Sequence, residues 1–239
     1  MDSDLEPYFD DLAEQQAYEA FCEAQEASGK PFDLGEPALV CRWRMAHKQV
    51  PMLNRHISAL SQRRVRGRPL PSGLISWAKQ HVECSLADGI YEAEDGVLML
   101  VVDVDGNAAM SVGEYEPLAD ISLAGLAARA RSARREQAGT GVAPELLCAA
   151  RGDALVIGAG AEEHLCGVGT LVQQLAEVRK RTIELEPGLC EAAGAGAVEG
   201  AAFLVSDEHG VAAARDCTGT ADEQAFVTFL AEGYAKLFE

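Results

Sequence analysis

Apolar residues recur along this chain in two rhythms that alternate in blocks. Residues 8–28 carry Tyr8, Leu12, Tyr18, Phe21 and Cys22 at helical spacing among acids and alanines, and Gly29-Lys30-Pro31 stops the segment. Ala38–Arg44 (ALVCRWR) predicts a strand, followed by a short helix near Pro51 that carries Leu53, Ile57 and Leu60. Leu74, Ile75, Trp77, Ala78, Val82 and Leu86 make Pro71–Asp88 an amphipathic helix, with Gly89 suited to its C-terminal cap. The unbroken apolar run Val97–Val104 (VLMLVVDV) predicts a buried strand. Asp105-Gly106 then turns the chain back as Ala108–Tyr115.

The second half follows a similar plan. Ser122–Gln137 is rich in Ala and Arg and predicts a helix ending at Gly139. Strands are predicted near Pro144–Ala149 and over Ala154–Gly158, joined at Arg151-Gly152-Asp153, with a helix after Gly169. Arg181–Leu185, Ala201–Val205 and the less regular Val211–Arg215 are further strands, and Ala221–Leu237 closes the chain as a helix. The small residues of Ala192–Gly200 read as a helix end and loop. No repeat appears among these helices and strands, and the expected class is α+β. A boundary near Pro117–Asp120 gives an acidic helical extension (1–34), an N-terminal α/β domain (35–118) and a C-terminal domain (119–239).

Charge changes this picture in one respect. The net charge of −18 disfavours nonspecific nucleic-acid binding by the surface as a whole. The charge is uneven, however. Residues 1–36 hold eleven acids against Lys30 alone, whereas residues 37–82 hold nine Lys or Arg and no acid. Arg63, Arg64, Arg66 and Arg68 (RRVRGR) lie in a loop by composition and form a candidate anion site, which the acidic leader is placed to cover. No apolar run reaches the roughly 20 residues of a membrane span. The N-terminus lacks the pattern of a signal peptide, and seven cysteines without a Cys-x-x-Cys pair fit reduced thiols. These features give the expectation of a cytoplasmic protein.

Other chemistry is thinly signalled. The five histidines are dispersed, and no metal site is expected from Glu162, Glu163, His164 and Cys166, because adjacent residues rarely converge on one ion. Cys148 and Cys166 lack a His–Asp partner set and read as small buried hydrophobes.

Val142–Thr170 (VAPELLCAARGDALVIGAGAEEHLCGVGT) concentrates what remains: a Glu-bearing strand, a polar turn, an apolar strand and a Gly-rich turn opening a helix. This order resembles the core of the aminotransferase class IV, or fold-type IV, pyridoxal-phosphate enzymes, which include branched-chain aminotransferases and 4-amino-4-deoxychorismate lyase. Upstream, Leu53–Leu60 (LNRHISAL) resembles the family's His-x-x-Arg-Leu helix, with Ala59 where the arginine belongs. Downstream, Arg181–Glu186, Glu199–Cys217 and the final helix follow the family's order.

The resemblance implies a two-domain D-amino acid aminotransferase-like architecture, with an N-terminal α/β layer domain, a C-terminal β-rich pseudo-barrel domain with helices, and a homodimer. It casts Glu145 as the carboxylate facing the pyridine nitrogen, and Gly167, Val168, Gly169 and Thr170 as the phosphate-holding turn at a helix N-terminus. It also implies a Schiff-base lysine a few tens of residues before the glutamate, and Asp95–Pro144 contains none. Ser206-Asp207-Glu208 stands where small hydroxyl residues would hold phosphate.

The resulting expectation is a degenerate member of the family without covalent pyridoxal phosphate. It would bind a small anion in the former cofactor cleft or act through protein interaction. Two alternatives stay open. One is an active lyase or transaminase using a displaced lysine, for which Lys180 is the candidate. The other is an unrelated α+β binding module.

Overall fold

The computed structural model describes residues 34–239 and, before them, Gln16 and Ala20, which are helical. Otherwise the helix expected over 8–28, and the covering role expected of the acidic leader, lie outside the described residues. The chain divides into two compact units, the first ending at Gly113 and the second spanning Glu114–Glu239.

The first unit is built on a three-stranded antiparallel sheet in the order β1-β4-β5, from β1 (Pro37–Met45), β4 (Gly96–Asp103) and β5 (Ala108–Gly113). Alternate residues Leu39, Cys41, Trp43 and Met45 of β1 and Leu98, Leu100 and Val102 of β4 are buried together, as period-two patterning requires. Helices α1 (Leu53–Ser61) and α2 (Ser72–Ala87) supply Leu60, Leu74, Ala78, Val82 and Leu86 to the same core. His56 is buried and stacks on Trp43 with ring centroids 5.4 Å apart. Ala59 is buried as well.

The Arg63–Arg68 run is more ordered than its composition suggests. β2 (Arg64–Val65) and β3 (Arg68–Pro69) pair through an Arg66-Gly67 reversal with φ of 51° and 75°.

The second unit holds a five-stranded mixed sheet in the order β10-β9-β6-β7-β8. Its strands are β6 (Glu145–Arg151), β7 (Ala154–Ile157), β8 (Thr182–Leu185), β9 (Ala201–Ser206) and β10 (Gly210–Ala213). β7 and β8 are parallel, which requires the crossover helix α4 (Gly167–Val178) between them. Helices α3 (Leu123–Thr140) and α5 (Leu189–Gly194) pack on the sheet face that carries Leu147, Ala149, Val156 and Leu204. α6 (Ala221–Ala235) supplies buried Phe226, Val227, Leu230 and Tyr234 and contacts α4, β6, β9 and β10. β6 and β9 are therefore buried on both faces, which explains why their sequences are apolar runs rather than alternating.

One helix end differs from expectation. α3 continues through Gly139 and stops at Gly141, whose φ of 89° places it in the left-handed region, with its N–H bonded to the Gln137 carbonyl. A mid-helix glycine costs only about 1 kcal/mol, too little to end a helix whose neighbours are packed. Ser122 caps the start of α3, its hydroxyl accepting from the Gly125 N–H at 3.1 Å.

Candidate functional site

The Gly-rich turn forms the first turn of α4, and the Asp207 carboxylate lies against it. Asp207 Oδ1 accepts a hydrogen bond from the Val168 N–H at 2.9 Å, with both residues buried. The first N–H groups of a helix lack carbonyl partners and attract anions. Here that need is met by a carboxylate delivered from the end of β9. Thr170 turns inward on its own helix, its hydroxyl donating to the Gly167 carbonyl at 2.8 Å. Gly169 is tightly packed, since a Cβ there would lie 3.1 Å from Leu165 Cβ and 3.3 Å from Leu146 Cδ1.

Glu145 opens β6 and is buried within a polar cluster. Arg129 of α3 grips it in a fork, with Nη2 donating to Oε1 at 2.6 Å and Nε to Oε2 at 3.0 Å. The Ser206 hydroxyl donates to Glu145 Oε1 at 3.1 Å, and its oxygen accepts from the His209 N–H at 3.1 Å. Arg129 Nη2 also lies 3.1 Å from His209 Nε2, and the His209 ring stacks obliquely on Tyr115. Register explains the cluster: Glu145 pairs with Ser206 across β6 and β9, and Ser206 pairs with Gly210 across the following turn. Gly210 has φ of 71°, and a Cβ there would run into the Tyr234 ring.

Of the residues singled out from sequence, Glu145, Gly167, Val168, Gly169 and Thr170 fall in this second unit. Arg63, Arg64, Arg66 and Arg68 fall in the first. Arg63 is buried, whereas Arg64, Arg66 and Arg68 are exposed, so the run is not one uniform cationic surface. Lys180 lies past the opposite end of α4 from the Gly-rich turn, and twelve helical residues place them roughly 18 Å apart. Its φ is 57°. It sits between Arg179, stacked 4.1 Å over Phe229, and Arg181, paired to Asp153 and Asp222 at 3.2 and 2.6 Å.

Sequence reasoning did not single out Arg129 or His209. Four arginines stand in α3, and their spacing does not set Arg129 apart from Arg131, which donates to the Cys190 carbonyl, or Arg134, which pairs with Glu163. Among the described residues no group of three His, Cys, Asp or Glu is placed to hold a metal ion, and no helix is long and apolar enough to cross a membrane. Burial pushes the Cys148 thiol far above its ordinary value, so that thiol is inert packing. The six described cysteines are free thiols.

No protein-family model matches the chain, and no curated protein matches it. Solved structures do. A hypothetical aminotransferase from Mycobacterium tuberculosis, in its apo form, superposes with a TM-score of 0.55 at 13% identity, covering 88% of this chain and 94% of its own. A fold IV-transaminase from Curtobacterium pusillum gives 0.54 at 16% identity, covering 88% and 89%.

The chain has the fold-type IV aminotransferase fold.

At these identities the likeness concerns the fold alone. The same Mycobacterium tuberculosis protein in a PLP-bound form gives a TM-score of 0.54 at 13% identity, covering 84% and 93%. In this chain the fold-type IV framework carries Asp207 at the mouth of the Gly-rich turn and Arg129 on Glu145.

Proposed function

We propose that this protein is a degenerate relative of the aminotransferase class IV and aminodeoxychorismate lyase-like proteins, whose cleft no longer takes pyridoxal phosphate covalently. It acts instead through a small anion or a protein partner. The observation that carries this reading is the Asp207 carboxylate on the Val168 N–H. A phosphate dianion at the same amides would meet a carboxylate at contact distance. That repulsion is about 1 kcal/mol per charge pair in water and several in a partly buried site. Pyridoxal phosphate, the group found in a neighbour of this fold, therefore does not fit these residues as they stand. The lysine-free interval Asp95–Pro144 supports the same reading, because only a lysine amine forms the internal imine. Ala59, in place of the family's phosphate-binding arginine, removes a further cationic donor.

The test is a titration with inorganic phosphate, followed through the amide resonances of Gly167–Thr170. The wild-type chain is expected to show no saturable shift at phosphate concentrations up to tens of millimolar. The Asp207→Ala variant is expected to bind at least tenfold more tightly. Wild-type protein that binds phosphate at these amides as well as the variant does contradicts the reading.

A further inference from the structure

β8 forms one edge of the five-stranded sheet, and its hydrogen bonds fix which residues present that edge. The Thr182 N–H donates to the Asp153 carbonyl at 3.0 Å, and the Glu186 N–H donates to the Ile157 carbonyl at 2.9 Å. Thr182 aligns with Ala154 and Glu184 with Val156 in the parallel register, so residues 182, 184 and 186 turn their backbone groups toward β7. Ile183 and Leu185 turn theirs away from the sheet. Thr182, Glu184 and Leu185 are exposed, which leaves this edge open to a further strand. The opposite edge differs, because α6 packs against β10.

The surface beside β8 carries both apolar area and polarised charge. Four large apolar side chains are exposed among the described residues, and two of them flank this strand. Val178 precedes it at 70% exposure, and Leu185 ends it at 44%. Arg179 and Lys180, both exposed, lie ahead of the strand, and exposed Glu184 lies near its end. The other nearby charges are paired within the chain: Arg181 with Asp153 and Asp222, and Glu186 with Arg151 at 3.1 Å. An edge with cations at its start and an acid at its end matches a copy of itself laid antiparallel. A two-fold axis then brings each start beside the other's end. Laid parallel, the same edge would set like charges together.

We propose that β8 is a self-docking edge, at which two copies of this chain join antiparallel across a two-fold axis through Ile183. In that register the two Ile183 residues exchange both backbone hydrogen bonds. Each Thr182 stands opposite Glu184 of the second copy, and Lys180 approaches the same carboxylate diagonally. Each Leu185 stands opposite Arg181 of the second copy, whose guanidinium lies 4.8 Å over the Phe226 ring, and covers the apolar flank of that stack. The neighbouring registers carry penalties. An axis through Glu184 sets that carboxylate opposite its own copy, and an axis through Leu185 sets Ile183 opposite Pro187, which has no N–H to donate. β8 has four residues, so the contact is small and the association reversible. The surface lies wholly in the second unit and does not depend on the Gly-rich turn or on the Glu145 cluster.

Sedimentation velocity of the full chain, from micromolar to near-millimolar protein, reads the association, and amide hydrogen exchange locates it. The wild-type chain is expected to dimerise reversibly across this series. Exchange at the Ile183 amide is expected to slow at least fivefold with concentration, while the Glu184 amide, already turned to β7, stays unchanged. Ile183→Pro removes an outward N–H that the monomer leaves to solvent. It is expected to keep the wild-type melting temperature and to weaken dimerisation at least tenfold. Glu184→Lys is expected to weaken dimerisation at least fivefold, and adding Lys180→Glu is expected to restore it, which a folding defect would not allow. Should Ile183→Pro lower the melting temperature, the charge exchange decides alone. A chain that stays monomeric throughout, a dimer whose Ile183 amide exchanges as fast as the monomer's, or a dimer unaffected by Glu184→Lys would each overturn the proposal.

Discussion

Asp207 and Val168 are joined by a hydrogen bond of 2.9 Å that closes the first turn of α4 with the chain's own carboxylate. Asp207→Ala removes that cap from a buried helix start and is expected to destabilise the protein by about 1–2 kcal/mol, as losses of N-terminal caps do. Asp207→Asn keeps an acceptor oxygen and should cost less. Urea unfolding of the three proteins checks both expectations. An Asp207→Ala variant as stable as wild type would show that the contact closes nothing.

The fork between Arg129 and Glu145 supports a second expectation. Glu145 is mostly buried and Arg129 is 41% exposed, so the pair lies between a surface and an interior ion pair. Arg129→Ala leaves the carboxylate with Ser206 as its remaining named donor and is expected to cost about 1–3 kcal/mol, discounted from the fully buried case because water reaches the guanidinium. The Arg129→Ala, Glu145→Gln double variant should recover part of that loss, because no unpaired charge then remains. Denaturant midpoints of the two single variants and the double variant read out this coupling.

Acid stability should depend on Glu223 and Asp103. Hydrogen bonds from the Gly152 and Thr220 N–H groups hold the Glu223 carboxyl below its ordinary value of 4.5. Burial pushes Asp103 up, but hydrogen bonds from the Asn107 side chain and the Gly35, Asn107 and Asp105 N–H groups outweigh it and hold Asp103 below 3.8. A carboxyl whose folded pKa is depressed binds more protons when unfolded, so stability rises with pH across that interval. The contribution is fully present above the ordinary values and is lost as pH falls through the lower folded ones. Glu223→Gln should therefore flatten the loss of stability below about pH 4.5. A melting curve whose acid limb is unchanged in that variant would contradict the assignment.

Lys180 is the left-handed residue that ends α4. Its N–H bonds to the Glu177 carbonyl and the Arg181 N–H to the Ala176 carbonyl, a pair of bonds that usually closes over glycine. Lys180→Gly is expected to stabilise the protein by about 0.5–1 kcal/mol, since the relieved backbone strain exceeds the added freedom of the unfolded chain. A higher midpoint in urea bears this out. A large loss of stability would mean that the lysine side chain has a structural role of its own.

Period and turn chemistry carried much of the fold into legible sequence. Val97–Val104 and its Asp105-Gly106 turn, the Pro71–Asp88 helix and the Arg151-Gly152-Asp153 reversal lie in the structure within a residue or two of where their patterns place them. What sequence concealed were choices made by packing. Gly139 reads as a stop, but α3 runs on to Gly141 because its neighbours are held. Arg129 is one of several arginines in α3, and only the rotation of that helix on the sheet brings it to Glu145. Arg63 resembles Arg64 and Arg66 in sequence, yet it is buried and they are exposed. The Asp207 carboxylate reads from sequence as an obstacle to phosphate. The structure adds that its oxygen occupies the amide itself. The reversal at His47 and Lys48, with φ of 51° and 57°, leaves no trace in composition, because it breaks the turn preferences from which sequence is read.

The most direct measurement of the proposed loss of cofactor chemistry is borohydride trapping. Full-length protein is incubated with pyridoxal phosphate, reduced, digested and mapped by mass spectrometry, with absorbance recorded before reduction. The expected result is no stoichiometric pyridoxyl adduct at any one of the five lysines, Lys180 included, and no long-wavelength imine band. A single lysine carrying the adduct at one equivalent per chain would contradict the proposal.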